Sequence, residues 1–105
     1  MSDYCIVITT FGNVESANNT IDAVINARLA ACVQTMPIKS RYFWDNKICD
    51  DSEIIALFKT RWSLYEELEN KIKETHPYDT PEVIAIDIEK GSQAYLQWVK
   101  EETKH

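Results

Sequence analysis

The sequence has few of the residues that break regular structure, and it contains no long apolar run. Its 105 residues include two Gly and three Pro, while 45% are hydrophobic. This composition predicts one compact domain over residues 1–105 rather than a disordered chain or a series of linked modules. No apolar stretch approaches the roughly 18 residues of a membrane span, and no secretory signal is visible after Met1. We therefore expect a cytoplasmic protein with no membrane partner.

Positive charge and cysteine are also scarce. Eleven Lys and Arg against seventeen Asp and Glu leave a net charge of −6, which is unfavourable for binding a phosphate backbone. No nucleic-acid partner is expected. The three cysteines, Cys5, Cys32 and Cys49, are odd in number and widely spaced, which excludes a disulfide framework and a C-x-x-C motif. We expect reduced thiols, with Cys5 in the core and Cys49 exposed.

The first half of the chain predicts a strand, a helix and a long hairpin. The run Tyr4–Thr10 is β-rich without polar alternation, which is typical of a central strand. Asn13 is a candidate N-cap for the helix that follows. Two further strands, Cys32–Trp44 and Lys47–Lys59, flank the two-residue turn Asp45-Asn46. The apolar stripe predicted for the first helix comprises Val14, Ala17, Ile21, Val24, Ile25 and Leu29.

The second half predicts a helix, a loop, a strand and a final helix. The second helix ends near Thr75 and begins with the capping-box pattern Ser63-x-x-Glu66. The loop His76–Pro81 precedes a strand over Glu82–Ile88. Ser92 is a candidate N-cap for the last helix. Expected ion pairs of the second helix are Glu67/Lys71 and Glu69/Lys73, and the expected apolar stripe of the last helix is Ala94, Tyr95, Trp98 and Val99.

This order, β-α-β-β-α-β with a terminal helix, predicts an α+β, ferredoxin-like split β-α-β sandwich with two helices on one face of a four-stranded antiparallel sheet. Pro37 indicates a bulge or an edge position in the second strand. At ~3.3 Å per residue the hairpin reaches about 40 Å, beyond the roughly 33 Å diameter expected for a domain of this size. Its tip carries Tyr42, Phe43 and Trp44, so we interpret the hairpin as an oligomerisation arm.

Several motifs follow one another over nearly the whole chain. The most specific are Ala27-Arg28-Leu29-Ala30-Ala31-Cys32-Val33 and His76-Pro77-Tyr78-Asp79-Thr80-Pro81-Glu82, and they are accompanied by Tyr42-Phe43-Trp44 before Lys47-Ile48, by Lys59-Thr60 and by Tyr95-Leu96-Gln97-Trp98. Taken together and in this order, they resemble the divalent-cation tolerance protein CutA family. The resemblance implies a ferredoxin-like homotrimer with a role in tolerance of copper and other divalent cations. It also implies an architecture similar to the trimeric PII signal-transduction proteins, which hold small effectors between subunits.

Two residues are candidate copper ligands, because thiolate and imidazole suit that metal. Cys32 lies at the end of the first helix and His76 begins a proline-rich loop. The alternatives are a small buried hydrophobe for Cys32 and a helix C-terminal cap for His76. Some members of the family that this chain resembles bind copper through a Cys and a His pair at positions that are Thr9, Thr75 and His76 here. We therefore expect weak copper binding and no required cofactor.

Five residues are predicted to surround a cleft between subunits. They are Glu53, Lys59, Tyr78 and Glu82, with Trp44 from the hairpin. Such a set suits a small anionic or aromatic ligand, and the alternative is a set of hydrogen bonds and ion pairs that hold the trimer together.

Two functions follow as hypotheses: a trimeric metal-tolerance protein, and a PII-like sensor or scaffold for a small effector or protein partner. An enzyme is not expected. The Gly-rich anion loop of acylphosphatase and the clustered cysteines of a ferredoxin are both missing, and one internal histidine leaves only a Cys32/His76 dyad.

Overall fold

The computed structural model describes all residues, Met1–His105. A single four-stranded sheet carries three α-helices, and the strand and helix types follow the predicted order. The elements are β1 (Tyr4–Phe11), α1 (Val14–Asn26), β2 (Cys32–Trp44), β3 (Lys47–Arg61), a 3-10 turn (Trp62–Leu64), α2 (Tyr65–Thr75), β4 (Ile84–Asp87) and α3 (Gln93–Glu102). None of the helices combines the length and the apolar character that crossing a membrane requires.

The sheet has the order β2-β3-β1-β4, and every neighbouring pair is antiparallel. β1 is therefore central, as its sequence predicts. The α+β, ferredoxin-like fold class is confirmed, with α1 and α2 in contact with each other on one side of the sheet.

The core lies between the sheet and these two helices. Alternate residues of β1, among them Cys5, Val7 and Phe11, are fully buried, and they meet Phe58 of β3. α2 contributes Leu68 and Ile72 in register with its helical period. On the opposite side of β1, Tyr4, Ile6 and Ile8 are only half-buried, and exposed residues of β2 and β4 on the same face include Met36 and Ile86.

The hairpin of β2 and β3 has an unbroken register from Cys32↔Lys59 to Trp44↔Lys47. Asp45 and Asn46 take φ values of 52° and 60°, which are the left-handed conformations of a two-residue hairpin turn. Pro37 pairs with Ile54 without a bulge, and β2 is an edge strand, so the edge alternative holds. The molecule measures 45 Å along its longest axis.

The start of α2 differs from the prediction. Ser63 lies inside the 3-10 turn and no side chain caps α2. The Trp62 indole N–H donates to Asp87 Oδ1 at 2.7 Å, a bond that lowers the pKa of Asp87. The chain thus leaves β3 through a 3-10 turn that is held to β4 by the Trp62–Asp87 bond, and Ser63 does not act as the N-cap of α2. The predicted capping box is therefore wrong.

The predicted ion pairs of α2 are half right. Lys73 lies 2.6 Å from Glu69, as expected. Lys71 instead approaches Glu74 at 3.6 Å, and Glu67 contacts Lys104 at 2.6 Å. Glu67 therefore pairs with Lys104 of the C-terminal segment instead of Lys71 of its own helix.

The two amphipathic stripes are corrected as well. Val14 of α1 is 58% exposed and Ile25 is also exposed, whereas Thr20 is buried and accepts a hydrogen bond from Thr75 Oγ1 at 2.8 Å. Of the stripe predicted for α3 only Val99 is buried. Asn13 and Ser92 do cap their helices, through bonds from Ser16 N–H and Tyr95 N–H. β4 is shorter than the predicted Glu82–Ile88.

Candidate functional site

A groove of about 660 Å³ lies between the hairpin and the loop that follows α2. We call it the tip groove. Its lining residues are Thr10, Ser40, Arg41, Tyr42, Trp44, Glu53, Tyr78, Asp79, Thr80 and Glu82. Four of the five predicted cleft residues, Trp44, Glu53, Tyr78 and Glu82, are thus brought together within one chain.

The fifth predicted residue, Lys59, lies elsewhere. It sits near the base of the hairpin opposite Cys32, and its ammonium is 5.7 Å from the ring centroid of Tyr95 on α3. This is a favourable cation–π distance. Lys59 therefore does not line the tip groove of its own chain, because it lies six positions beyond Glu53 along the extended strand β3.

His76 holds the loop side of the tip groove in place. It is only 8% exposed, and its ring stacks on Phe11 with centroids 4.5 Å apart. Its Nε2 lies 2.7 Å from the Thr10 carbonyl, and its Nδ1 accepts the Tyr78 backbone N–H at 3.1 Å. The two bonds together require the neutral tautomer with the proton on Nε2.

Both imidazole nitrogens are therefore engaged, and a metal ion could bind only after one of these bonds breaks. Burial lowers the pKa of His76, and the Thr10 carbonyl and Glu53 oppose that shift. The helix-cap alternative, in which the histidine ring caps the last carbonyls of the helix, is wrong: the ring bonds to the Thr10 carbonyl, and only the His76 backbone N–H donates to the Ile72 carbonyl, at 2.9 Å.

Tyr78 crosses the tip groove and donates from its hydroxyl to Glu53 Oε2 at 3.3 Å. Burial and the Glu53 carboxylate raise the pKa of Tyr78, so the phenol stays neutral. Gly12 leaves room for the Tyr78 ring, because a Cβ at position 12 would lie only 3.0 Å from the Tyr78 hydroxyl oxygen. The absence of a side chain at Gly12 thus shapes this wall.

The sequence analysis placed Tyr42 at the hairpin tip but assigned neither it nor Arg41 to the cleft, and both line the tip groove. Tyr42 donates to the Asp51 carboxylate, and this bond raises its pKa to about 12. Arg41 Nε lies 2.8 Å from Asp50 Oδ1, directly across the hairpin. A cross-strand register counted outward from the Asp45-Asn46 turn could have found both pairs. Asp79 and Thr80, also missed, stand within the quoted loop motif.

Cys32 and His76 do not converge in one chain. Cys32 is half-buried and pairs with Lys59, whereas the His76 ring bonds to Thr10, whose partner on β3 is Ile55. Ile55 and Lys59 are four positions apart on β3, a distance of about 13 Å along the strand. No group of three or more His, Cys, Asp or Glu side chains is arranged to hold a metal ion.

Comparisons with known proteins bear on this fold and this groove. A family model described as CutA1 divalent ion tolerance protein matches residues 5–102. The divalent-cation tolerance protein CutA of Pyrococcus horikoshii is 44% identical over 99 residues, which are 94% of this chain and 97% of that protein. Human protein CutA is 43% identical over 96 residues, covering 90% of this chain. The chain spans about half of that protein's length, 54%.

Solved structures agree over the same range. A crystal structure of CutA1 from Pyrococcus horikoshii superposes with a TM-score of 0.93 at 42% identity, covering 96% of this chain and 99% of that one. CutA1 from Oryza sativa gives a TM-score of 0.94 at 39% identity, with 97% and 94% covered. The periplasmic divalent cation tolerance protein CutA from Archaeoglobus fulgidus gives 0.93 at 33% identity, with 96% and 99% covered.

Proposed function

Because the chain belongs to the CutA1 divalent ion tolerance protein family, we propose that it acts in divalent-cation tolerance as a homotrimer that binds copper weakly. The observation that carries this proposal is the shared sequence and fold over nearly the whole chain. The relatives' names describe tolerance of cations rather than a chemical reaction, and we propose no enzymatic turnover.

The uncovered face of the sheet supports self-association. Met36 on β2 and Ile84 and Ile86 on β4 are exposed there, on the side away from α1 and α2. At the hairpin tip, Phe43 is 75% and Trp44 is 66% exposed. Several large apolar side chains exposed in this way support a protein–protein interface. Second and third copies of the chain are its proposed occupants.

Weak copper binding is proposed because the available soft ligands are few. Cys32 has a half-buried thiol, while His76 would have to give up a hydrogen bond to bind. High-affinity sites need several preorganised ligands. Cys32 residues of neighbouring subunits, or carboxylates, would have to complete the coordination.

A copper titration against a competing chelator tests this proposal on the reduced protein. Wild type, Cys32→Ser and the matched variant Cys49→Ser are compared, with His76→Gln as the imidazole variant. We expect the chelator to remove copper from all four proteins. Stoichiometric binding that survives the chelator and disappears in Cys32→Ser or His76→Gln would instead show a strong direct site.

A second candidate function is a PII-like sensor or scaffold that holds a small effector. The tip groove favours it, because its volume falls within the roughly 300–1,000 Å³ of small-molecule sites. A thermal-shift screen of nucleotides and metabolites tests it. An effector of the tip groove should lose its shift in Glu53→Gln and keep it in Lys59→Ala, since Lys59 lies outside the groove. The opposite result would place the effector between subunits near Lys59.

We also propose that residues 1–105 act as one domain in the cytoplasm. All three cysteines are free thiols, which suits a reducing compartment. The names of two relatives give other cellular locations. The protein CutA of Arabidopsis thaliana is called chloroplastic, and the CutA of Archaeoglobus fulgidus is called periplasmic. Fractionation of the source cells, with detection of the native protein, distinguishes these locations.

A further inference from the structure

We propose that a pocket at the end of the sheet opposite the hairpin turn binds a small organic carboxylate. The pocket has a volume of about 250 Å³ and lies where the start of β1, the end of β3 and α3 meet, and we call it the distal pocket. Its lining residues are Asp3, Tyr4, Arg61, Trp62, Ser63 and Lys100. It shares none of them with the tip groove, so this site is separate from that of the proposed effector.

The guanidinium of Arg61 has no carboxylate partner within the chain. The other two arginines, Arg28 and Arg41, each pair with a carboxylate, whereas Arg61 takes part in no ion pair. Arg61 is also half-buried, while the side chains of Arg28 and Arg41 are 60% and 77% exposed. A partly desolvated cation is normally paired with an anion. An external anion is therefore favoured beside Arg61.

Two hydrogen bonds fix the orientation of the Arg61 guanidinium. Its Nε donates to Thr103 Oγ1 at 3.0 Å, and its Nη2 donates to the Lys104 carbonyl. Thr103 is itself buried, and its hydroxyl donates to the Val99 carbonyl at 3.0 Å. Both bonds from Arg61 use the Nε–Nη2 edge of the guanidinium. The Nη1–Nη2 edge keeps its donors, and a carboxylate accepts two parallel hydrogen bonds from such an edge.

The charge of the distal pocket suits a single negative charge. Lys100 is exposed and takes part in no ion pair, and Asp3, the one acidic lining residue, pairs with neither cation. Two positive side chains against one negative side chain leave one net positive charge at the pocket. The chain as a whole carries −6, so its long-range field repels anions and the attraction is local. A monoanionic carboxylate is therefore favoured over a phosphate dianion.

The walls and the size of the distal pocket favour a compact organic body. Tyr4 and Trp62 contribute aromatic rings to the lining, and the Trp62 indole N–H is already bonded to Asp87 Oδ1 at 2.7 Å. The Trp62 ring therefore offers an apolar surface. Sites for drug-sized ligands have volumes of roughly 300–1,000 Å³, so the smaller distal pocket suits a carboxylate on a short aromatic or aliphatic body.

NMR titration of the full-length protein with benzoate tests the proposal. We expect saturable shifts of the Trp62 indole N–H and the Ser63 backbone N–H signals, with a Kd of about 1 mM. Benzamide, a neutral molecule of nearly the same shape, should produce no saturable shift. It lacks the negative charge and the pair of acceptor oxygens that Arg61 would bind.

Charge variants at the distal pocket should change the affinity in opposite directions. Lys100→Gln should weaken benzoate binding about threefold, and Asp3→Asn should strengthen it about twofold, because exposed charges act modestly. Lys39→Gln is the matched control, since Lys39 is exposed on β2, takes part in no ion pair and lies outside the pocket lining. Its Kd should equal that of the wild type.

Arg61→Lys tests the guanidinium itself. It keeps the positive charge but removes the two-donor edge, and it should weaken benzoate binding at least about fivefold. This variant also loses the bonds to Thr103 and Lys104, so its circular dichroism is compared with that of the wild type. Lys100→Gln and Asp3→Asn break no hydrogen bond or ion pair made by either side chain, and they test the site if Arg61→Lys fails to fold.

Several outcomes would overturn the proposal. They are the absence of a saturable shift with benzoate, an equal response to benzamide, an unchanged Kd in both Lys100→Gln and Asp3→Asn, and tighter binding of inorganic phosphate than of benzoate. The last result would show a phosphate site instead. A change of oligomeric mass in Lys100→Gln would also overturn it, because the distal pocket would then be a contact between subunits.

Discussion

His76 holds the loop beside the tip groove through bonds to Thr10 and Tyr78, and these bonds require a neutral imidazole. Its Nδ1 accepts from the Tyr78 backbone, so protonation of that nitrogen would remove the acceptor and place a charge beside Phe11. Burial lowers the pKa of His76 below the ordinary value of 6.5. The unfolded chain therefore binds the proton more readily than the folded chain does.

This difference predicts a pH dependence of stability. The His76 contribution should be fully present above pH 6.5 and should be lost as the pH falls from 6.5 through the lower folded pKa. Denaturant unfolding at about pH 7.5 and about pH 5 measures it. His76→Gln should show a smaller decrease between these pH values than the wild type, while the terminal variant His105→Gln should match the wild type. An equal decrease in all three proteins would contradict the assignment.

Cys5 is predicted to be chemically inert in the folded protein. It is completely buried, and burial followed by the charge of Asp87 raises its pKa to about 11. At about pH 8 only a small fraction of Cys5 is then thiolate, and a thiol reagent in solution cannot reach the buried sulfur. With a disulfide-exchange reagent, Cys5→Ser should leave the native labelling rate unchanged. Cys49→Ser, on the half-buried hairpin thiol, should remove a reacting group.

At the scale of elements, the hairpin depends on its two-residue turn. Asn46 has φ of 60°, a conformation that Asn and Gly tolerate and Ala does not. Asn46→Ala should therefore reduce the free energy of unfolding by about 1 kcal/mol, whereas Asn46→Gly should be close to neutral. Amide hydrogen exchange along β2 and β3 localises the effect.

A matched control for the turn is Asn70→Ala. Asn70 is exposed within α2, where Ala is the better helix former, so this variant should gain about 0.5 kcal/mol. A loss of similar size in both Ala variants would show that the turn conformation is not the cause.

The elements themselves were predictable where a local rule determines them. Asp45-Asn46, Asn13 and Ser92 each act within a few residues of their own position, and the structure has the turn and both caps as expected. The start of α2 was not predictable in this way. It depends on Trp62 and Asp87, which are far apart in sequence and meet only when β4 pairs with β1.

At the scale of the whole molecule, the exposed apolar residues of the sheet face support the proposed homotrimer. Light scattering at micromolar concentration should give three times the 12.2 kDa of one chain. Ile86, 53% exposed on that face, would be buried by neighbouring copies. Ile86→Lys should lower the mass toward that of one chain, because an unpaired ammonium in an apolar interface is strongly unfavourable.

Val14→Lys provides the control for this experiment. Val14 is also an exposed aliphatic residue, but it stands at the start of α1, which packs on the opposite side of the sheet. Its variant should keep the wild-type mass. A wild type with the mass of one chain, or an Ile86→Lys protein that stays fully assembled, would contradict the proposed trimer interface.

The sequence by itself determined the order of the elements, the ferredoxin-like class, the family and the projecting hairpin. Each of these follows from periodicity, turn chemistry or motifs that operate over short distances along the chain. Only the tertiary structure decided that Trp44 and Tyr78 share a groove, that Lys59 lies outside it and that His76 has no free nitrogen. Those facts depend on contacts such as His76 with Thr10, 66 residues apart, whose geometry arises only when the packed sheet and loop bring distant backbone together.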